Sequence, residues 1–259
     1  MQLQIETTLE YKLGPGPTTI LLQIEAASLP EQTVLTSELT VPDALSETRV
    51  PAEEAVGERS WIEAGETFNA TYTAKVDLNR TAADLAQFEA PHLPDLPGEI
   101  VKYLMPSRYC VPSRFVKILE QNFEGLSGGA LIAACRDWIE EHLDYVPGVS
   151  DENTMASDTY LARQGICRDY AHVLIALARA ADIPARFASV YAPSVEPPDF
   201  HAVAEVYLGG AWHLVDPTGM AQADEMAVIG VGRDAADVAF MNIHGMSELV
   251  SQNVSVKRA

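Results

Sequence analysis

The stretch Gln164-Gly165-Ile166-Cys167-Arg168-Asp169-Tyr170-Ala171-His172 decides how the chain is read. Gly165 suits a tight turn that closes one segment, and Leu174, Ile175, Leu177, Ala178 and Ala181 then recur at helical spacing. Cys167 is therefore expected in the first turn of a helix. The unpaired N–H groups and the positive dipole end found there favour an anion, and the thiolate is the reactive form of cysteine. That position makes Cys167 a candidate nucleophile, provided that a base and an orienting group lie elsewhere in the chain.

The base is sought downstream. Asp182-Ile183-Pro184 breaks the helix, Ala185 to Tyr191 alternates as a strand, and the proline-rich Ala192 to Phe200 reads as a loop. His201 to Leu208 and Ala211 to Val215 then form two strands around Gly209-Gly210, a pair suited to a two-residue hairpin turn. With that turn, Leu208 faces Ala211, Tyr207 faces Trp212 and Val203 faces Asp216. His201 then shares a face with Asp216, one diagonal step away, at roughly 7–8 Å between backbones. A carboxylate can reach an imidazole nitrogen across that gap. His213 falls on the opposite face. His172 is five residues after Cys167, the wrong spacing for helical neighbours, and reads as structural; His92, His142 and His244 have no evident partner.

Upstream of Gln164, Leu131, Ile132, Cys135, Trp138, Ile139 and Leu143 share one helical face, which makes Cys135 a core residue. Short helices are expected over Val116 to Phe123 and Met155 to Arg163. From the N-terminus to about Leu78 the texture is that of half-buried strands: Leu3 to Thr7, Thr18 to Ile24, Thr33 to Val41, Ser60 to Ile62 and Thr67 to Val76. They read as an antiparallel β-sandwich over residues 1–80. Pro91, Pro94 and Pro97 mark a crossing segment, after which residues 81–259 form a second domain.

A formal charge of −20 opposes binding to nucleic-acid phosphates or anionic lipid. Cys110, Cys135 and Cys167 fit neither a disulfide framework nor a zinc pattern, and no basic-apolar leader or membrane span is evident. A cytoplasmic protein is expected, with no cofactor or metal and a peptide or amide substrate.

Three blocks in order, Gly165-Ile166-Cys167-Arg168-Asp169-Tyr170-Ala171-His172, His201-Ala202-Val203-Ala204-Glu205-Val206-Tyr207 and Trp212-His213-Leu214-Val215-Asp216-Pro217-Thr218, resemble the transglutaminase-like superfamily. Ile183-Pro184-Ala185-Arg186, Leu104 to Cys110 and Gly232 to Val238 look typical of its bacterial members with an N-terminal β-region. The resemblance implies an α+β chain whose second domain is papain-like, with the helix-start Cys packed on an antiparallel sheet. It also implies that Cys167, His201 and Asp216 act as a catalytic triad. Members often carry His-Ala-Trp where this chain has His201-Ala202-Val203, a difference that bears on pocket shape. The backbone N–H of Cys167 is a natural oxyanion donor; Gln164 is too close in sequence for the second donor, which stays unassigned.

The expected activity is acyl transfer from a peptide or amide through a thioester, with water as acceptor: a cysteine peptidase or amidase. The protease-like bacterial relatives that the resemblance implies, and the lack of a visible calcium-binding loop, favour water over an amine. The alternatives are a cross-linking transglutaminase and a non-catalytic binding module on the same scaffold.

Overall fold

Period-two alternation builds four of the first six strands of the computed structural model, which describes residues 1–259. In β1 (Gln2–Leu13), Leu3, Ile5, Thr7 and Leu9 turn inward while Gln2, Gln4 and Glu6 face water. The same alternation runs through β2 (Thr18–Leu22), β5 (Glu58–Ala64) and β6 (Thr67–Leu78). β3 (Gln32–Thr40) and β4 (Ala44–Pro51) are edge strands and mostly exposed. Two antiparallel sheets stack around Ile5, Ile20, Ile62, Phe68 and Tyr72.

The expected division at residue 80 needs a correction. β13 (Met241–His244) pairs with β2, and β14 (Ser247–Arg258) runs along the whole of β1, so the sandwich takes strands from both ends of the chain. The reason is an open edge. β1 is bonded to β6 on one side only, and a 12-residue edge would otherwise expose a row of unpaired backbone groups. The sheet orders are β14-β1-β6-β3 and β13-β2-β5-β4.

Between the sandwich strands and their C-terminal partners lies the helical and second-sheet layer. It begins with the short helices α1 (Gly98–Val101) and α2 (Val116–Asn122). α3 (Gly128–His142), the two-residue strand β7 (Asp144–Tyr145), α4 (Ala156–Ala162), β8 (Gln164–Gly165) and α5 (Cys167–Ala180) follow. β9 (Ala185–Tyr191), β10 (His201–Leu208), β11 (Ala211–Val215) and β12 (Ala227–Gly232) form an antiparallel sheet in the order β11-β10-β9-β12. Gly209 and Gly210 have φ of 59° and 83°, as the tight turn between β10 and β11 requires.

One face of this sheet packs on α3 and α5 through Ile132, Cys135, Ile139, Leu174, Leu177, Phe187 and Val206. The other face buries Ala188, Val190, Val203, Leu214 and Val228. With both sides covered, all seven residues of β9 are buried, so its sequence lacks a solvent-facing polar stripe. The sheet also merges with the sandwich: Tyr191, Ala227 and Ile229 enter the sandwich core, and Gln32 bonds both backbone groups of Val228 at 2.7 and 2.8 Å.

Candidate active site

The segment entering α5 is fixed before Cys167 is reached. β7 and β8 pair in parallel, with Asp144 opposite Gln164 and Tyr145 opposite Gly165, and Val146 N–H donates to the Gly165 carbonyl at 2.9 Å. Gly165 has no room for a side chain: an added Cβ would lie 2.8 Å from Asp169 Cβ and 3.2 Å from Thr159 Cγ2. Asp169 needs that closeness, because its Oδ2 accepts the Ile166 N–H at 3.0 Å and caps the first turn of α5. Its other oxygen takes two bonds from Arg168, so this fully buried carboxylate is charge-paired beside Cys167. Cys167 is left half-buried on the first turn, whereas Cys110 and Cys135 are wholly buried and their thiols are pushed up to about 12, by burial.

The β10–β11 hairpin brings up the other two groups. The observed register pairs Leu208 with Ala211, Tyr207 with Trp212 and Ala204 with Val215, as expected from the glycine turn. His201 Nε2 and Asp216 Oδ2 lie 2.8 Å apart and both side chains are sealed from water. Asp216 accepts three further bonds: Thr218 N–H at 2.8 Å and Thr218 hydroxyl at 2.7 Å on Oδ1, and Ala221 N–H at 2.9 Å on Oδ2.

Burial disfavours the His201 imidazolium, but the bond and charge of Asp216, with Cys167 nearby, outweigh it and raise the ring to about 10. Burial likewise opposes ionisation of Asp216, yet the bonds from His201 and Thr218 hold its carboxyl below the usual carboxylate range. A buried imidazolium–carboxylate pair therefore stands at neutral pH. Nε2 is committed to Asp216, and Nδ1, buried without a hydrogen-bond partner, is the ring nitrogen left over.

The remaining histidines lie elsewhere. His213 points away, its Nε2 on the Leu208 carbonyl at 3.1 Å and its ring against Phe88. His172 is fully buried, stacked on Tyr109, and accepts Ala235 N–H at Nε2; burial, aided by Arg168, lowers it to about 3. His92 and His142 bond to neighbours within their own segments, and His244 packs on Trp61.

One group at the site was not legible in the sequence. Tyr145 lies close to Cys167, and burial first, then Cys167, hold the proton of its hydroxyl on more firmly than usual. Tyr145 is 22 residues upstream of Cys167, and only the parallel pairing of β7 with β8 places it there. No local periodicity carries that signal.

The segments Leu104 to Cys110 and Gly232 to Val238 meet behind α5. Buried Arg179 donates to the carbonyls of Met105 and Ala185, to Ser107 Oγ and to the Arg233 carbonyl. Buried Asp234 accepts Tyr109 N–H at 2.8 Å and Ala236 N–H at 3.0 Å. These bonds fix the rear of the helix whose front turn carries Cys167.

The sequence profile of the transglutaminase-like superfamily matches residues 125–217, a span that contains Cys167, His201 and Asp216. An uncharacterized protein of Mycobacterium leprae is 34% identical over 120 residues, 42% of each chain. An uncharacterized Mycobacterium tuberculosis protein is 33% identical over 109 residues, 36% of this chain and 35% of its own. The matched stretch thus spans less than half of either mycobacterial protein. A crystal structure of a candidate cysteine protease from Cytophaga hutchinsonii superposes with a TM-score of 0.93 at 33% identity, covering 99% of this chain and 90% of that one. A likeness of that extent, in sequence and in fold, makes this chain a member of the transglutaminase-like superfamily.

Proposed function

We propose that the chain is a thiol-dependent acyl-transfer enzyme acting on a peptide or amide, with water as the usual acceptor. The observation that carries the reading is the sealed 2.8 Å His201–Asp216 pair acting on the same imidazole as a helix-start cysteine. His201 Nδ1 has no hydrogen-bond partner of its own, which leaves it available to the thiol.

In the first step Cys167 Sγ bonds to the substrate carbonyl carbon as the imidazolium of His201 pairs with the thiolate. Negative charge collects on the carbonyl oxygen, for which the Cys167 backbone N–H and the Tyr145 hydroxyl are the proposed donors. The C–N bond then breaks, and the proton on His201 Nδ1 goes to the departing amine. Water attacks the thioester with His201 now taking its proton, which releases the acid and restores the thiol. Asp216 keeps Nε2 protonated throughout, so that Nδ1 alone exchanges protons.

Hydrolysis is favoured over transfer to an amine by the Cytophaga hutchinsonii relative, which is described as a candidate cysteine protease. The test is intact-protein mass spectrometry after incubation with a peptide library, with Cys167→Ala as control. An acyl adduct on Cys167 that decays to free acid is expected. Decay mainly to amide when lysine methyl ester is added would make the protein a transferase. No adduct from any peptide, with Cys167 demonstrably reduced, would return the protein to the binding-module class.

A further inference from the structure

We propose that the free edge of β11 is a docking groove for an extended segment of peptide substrate, which pairs with it as a further strand of the sheet. That the peptide is the substrate rests on the acyl-transfer reading; the docking itself does not.

β11 stands at the end of the order β11-β10-β9-β12 and pairs with β10 alone. Tyr207 N–H donates to the Pro184 carbonyl at 2.8 Å, so Tyr207 and Glu205 turn their backbone groups toward β9 while Ala204, Val206 and Leu208 turn theirs toward β11. Their partners Val215, His213 and Ala211 are thereby used, and the N–H and C=O of Trp212 and Leu214 point out from the sheet. None of these four groups has a hydrogen-bond partner. They repeat at every second residue, roughly 7 Å along the strand, which is the period of another main chain.

These groups do not open onto bulk water. Leu214 is 5% exposed, and β11 lines a cavity of about 600 Å³, within the size range of ligand sites. Residues 80–85 of the crossing segment form the facing wall and are fastened at both ends. Arg80 donates to the carbonyls of Ala223 and Met226 at 3.2 and 2.9 Å. At the other end Leu85 lies so close to α3 that a Cβ on Gly129 would come within 1.6 Å of its carbonyl oxygen, and the Phe88 carbonyl accepts Gly129 N–H at 2.8 Å. Between these anchors Thr81, Ala82 and Ala83 line the cavity and make no backbone hydrogen bond. The wall therefore stands off the strand, and the gap has unpaired backbone on both sides. The opposite edge of the same sheet is closed: there the Val228 N–H and C=O are both taken by Gln32, and the C=O also accepts Ala27 N–H.

Continuity with the site identifies the occupant. Asp216, Gly219 and Ala221 line the same cavity, so the groove runs up to the carboxylate bonded to His201. A chain lying along β11 thus lies against the site, where a substrate belongs.

The test is hydrogen exchange of the full chain with a capped decapeptide of alternating Thr and Ala, and with its fully N-methylated counterpart. Saturating peptide should slow exchange of the Trp212 and Leu214 amides by at least about tenfold, and the N-methylated form should change nothing. Ala83→Trp or Ala211→Trp, at exposed positions on opposite walls of the groove, should remove the protection without moving the urea midpoint. No protection, equal protection by the N-methylated peptide, or protection that survives both variants would overturn the groove. For the substrate assignment, wild type should favour dodecapeptides over hexapeptides by about tenfold in kcat/KM, carried by KM, and the two variants should cleave both lengths alike. Cleavage with no length preference, or with one that survives both variants, would overturn the substrate assignment. Protection without any cleavage or Cys167 adduct would overturn the acyl-transfer reading and leave the docking groove standing.

Discussion

Asp216→Asn is the substitution from which the geometry predicts most. All the acceptor capacity used by Asp216 is spoken for: Oδ1 by the N–H and hydroxyl of Thr218, Oδ2 by His201 and Ala221 N–H. An asparagine must point its NH2 at one of these sets. In one orientation it faces Thr218 N–H, in the other Ala221 N–H, and neither backbone donor can reverse itself. One buried N–H therefore loses its acceptor whichever way the amide turns, at roughly 1–3 kcal/mol. Loss of the buried ion pair with His201 brings the total to roughly 3–5 kcal/mol.

The pH dependence follows from the two shifts. The His201 pKa is raised, so its contribution is complete below the unfolded value near 6.5 and disappears as pH rises through about 10. The Asp216 pKa is lowered, so its contribution is present above about pH 4 and disappears as pH falls through the folded value. The stability gap between wild type and variant should be widest between about pH 4 and 6.5. Urea unfolding across pH measures the gap, and NMR of the histidine rings should find His201 titrating lower in the variant, where burial is no longer opposed by the carboxylate, than in wild type. Equal unfolding midpoints at pH 5.5, or an unchanged His201 titration, would refute the reasoning.

Tyr145→Phe removes the proposed second oxyanion donor and should lower kcat by about 10²–10³-fold with little change in KM; an equal rise in KM would instead assign the hydroxyl to substrate binding. Gly165→Ala forces a methyl to 2.8 Å from Asp169 Cβ and displaces the cap of α5, for a loss of about 1–3 kcal/mol in thermal or urea unfolding; an unaltered midpoint would show that the neighbouring chain yields freely. Iodoacetamide should label Cys167 alone in the folded protein, since Cys110 and Cys135 are sealed and shifted to about 12, and peptide mapping that finds either of them labelled first would contradict the packing.

What could be read from the sequence was local or governed by a short register. The helix start at Cys167 follows from Gly165 and the apolar spacing after it, and the His201–Asp216 face follows from counting outward from a two-glycine turn. The missing parts depend on partners far away in the chain. Ser247–Arg258 has a polar, mostly exposed sequence in which only Val254 is buried, so its strand character comes from the open edge of β1. Ala44–Pro51 is nearly all exposed and exists as a strand by pairing with β5. Tyr145 reaches the nucleophile through a two-residue parallel bridge, too short to leave a pattern.

The same long-range pairing explains why the sandwich bears on the chemistry. His201 begins β10, and the residue before it, Phe200, is seated against the sandwich core by Phe240 and Tyr191. On the far edge of the sheet that carries His201, β12 hands its Val228 backbone to Gln32 and to Ala27 N–H. A buried Tyr191 hydroxyl donates to the Ile24 carbonyl at 2.7 Å and receives Thr7 at 3.2 Å, tying β9 to the sandwich from within. Removing the sandwich would leave these buried donors and acceptors without partners, each at roughly 1–3 kcal/mol, in the very strands that set the height of His201 against Cys167. The helix layer positions Cys167 and the sandwich positions His201, and the sheet between them holds the separation on which the proposed proton transfer would depend.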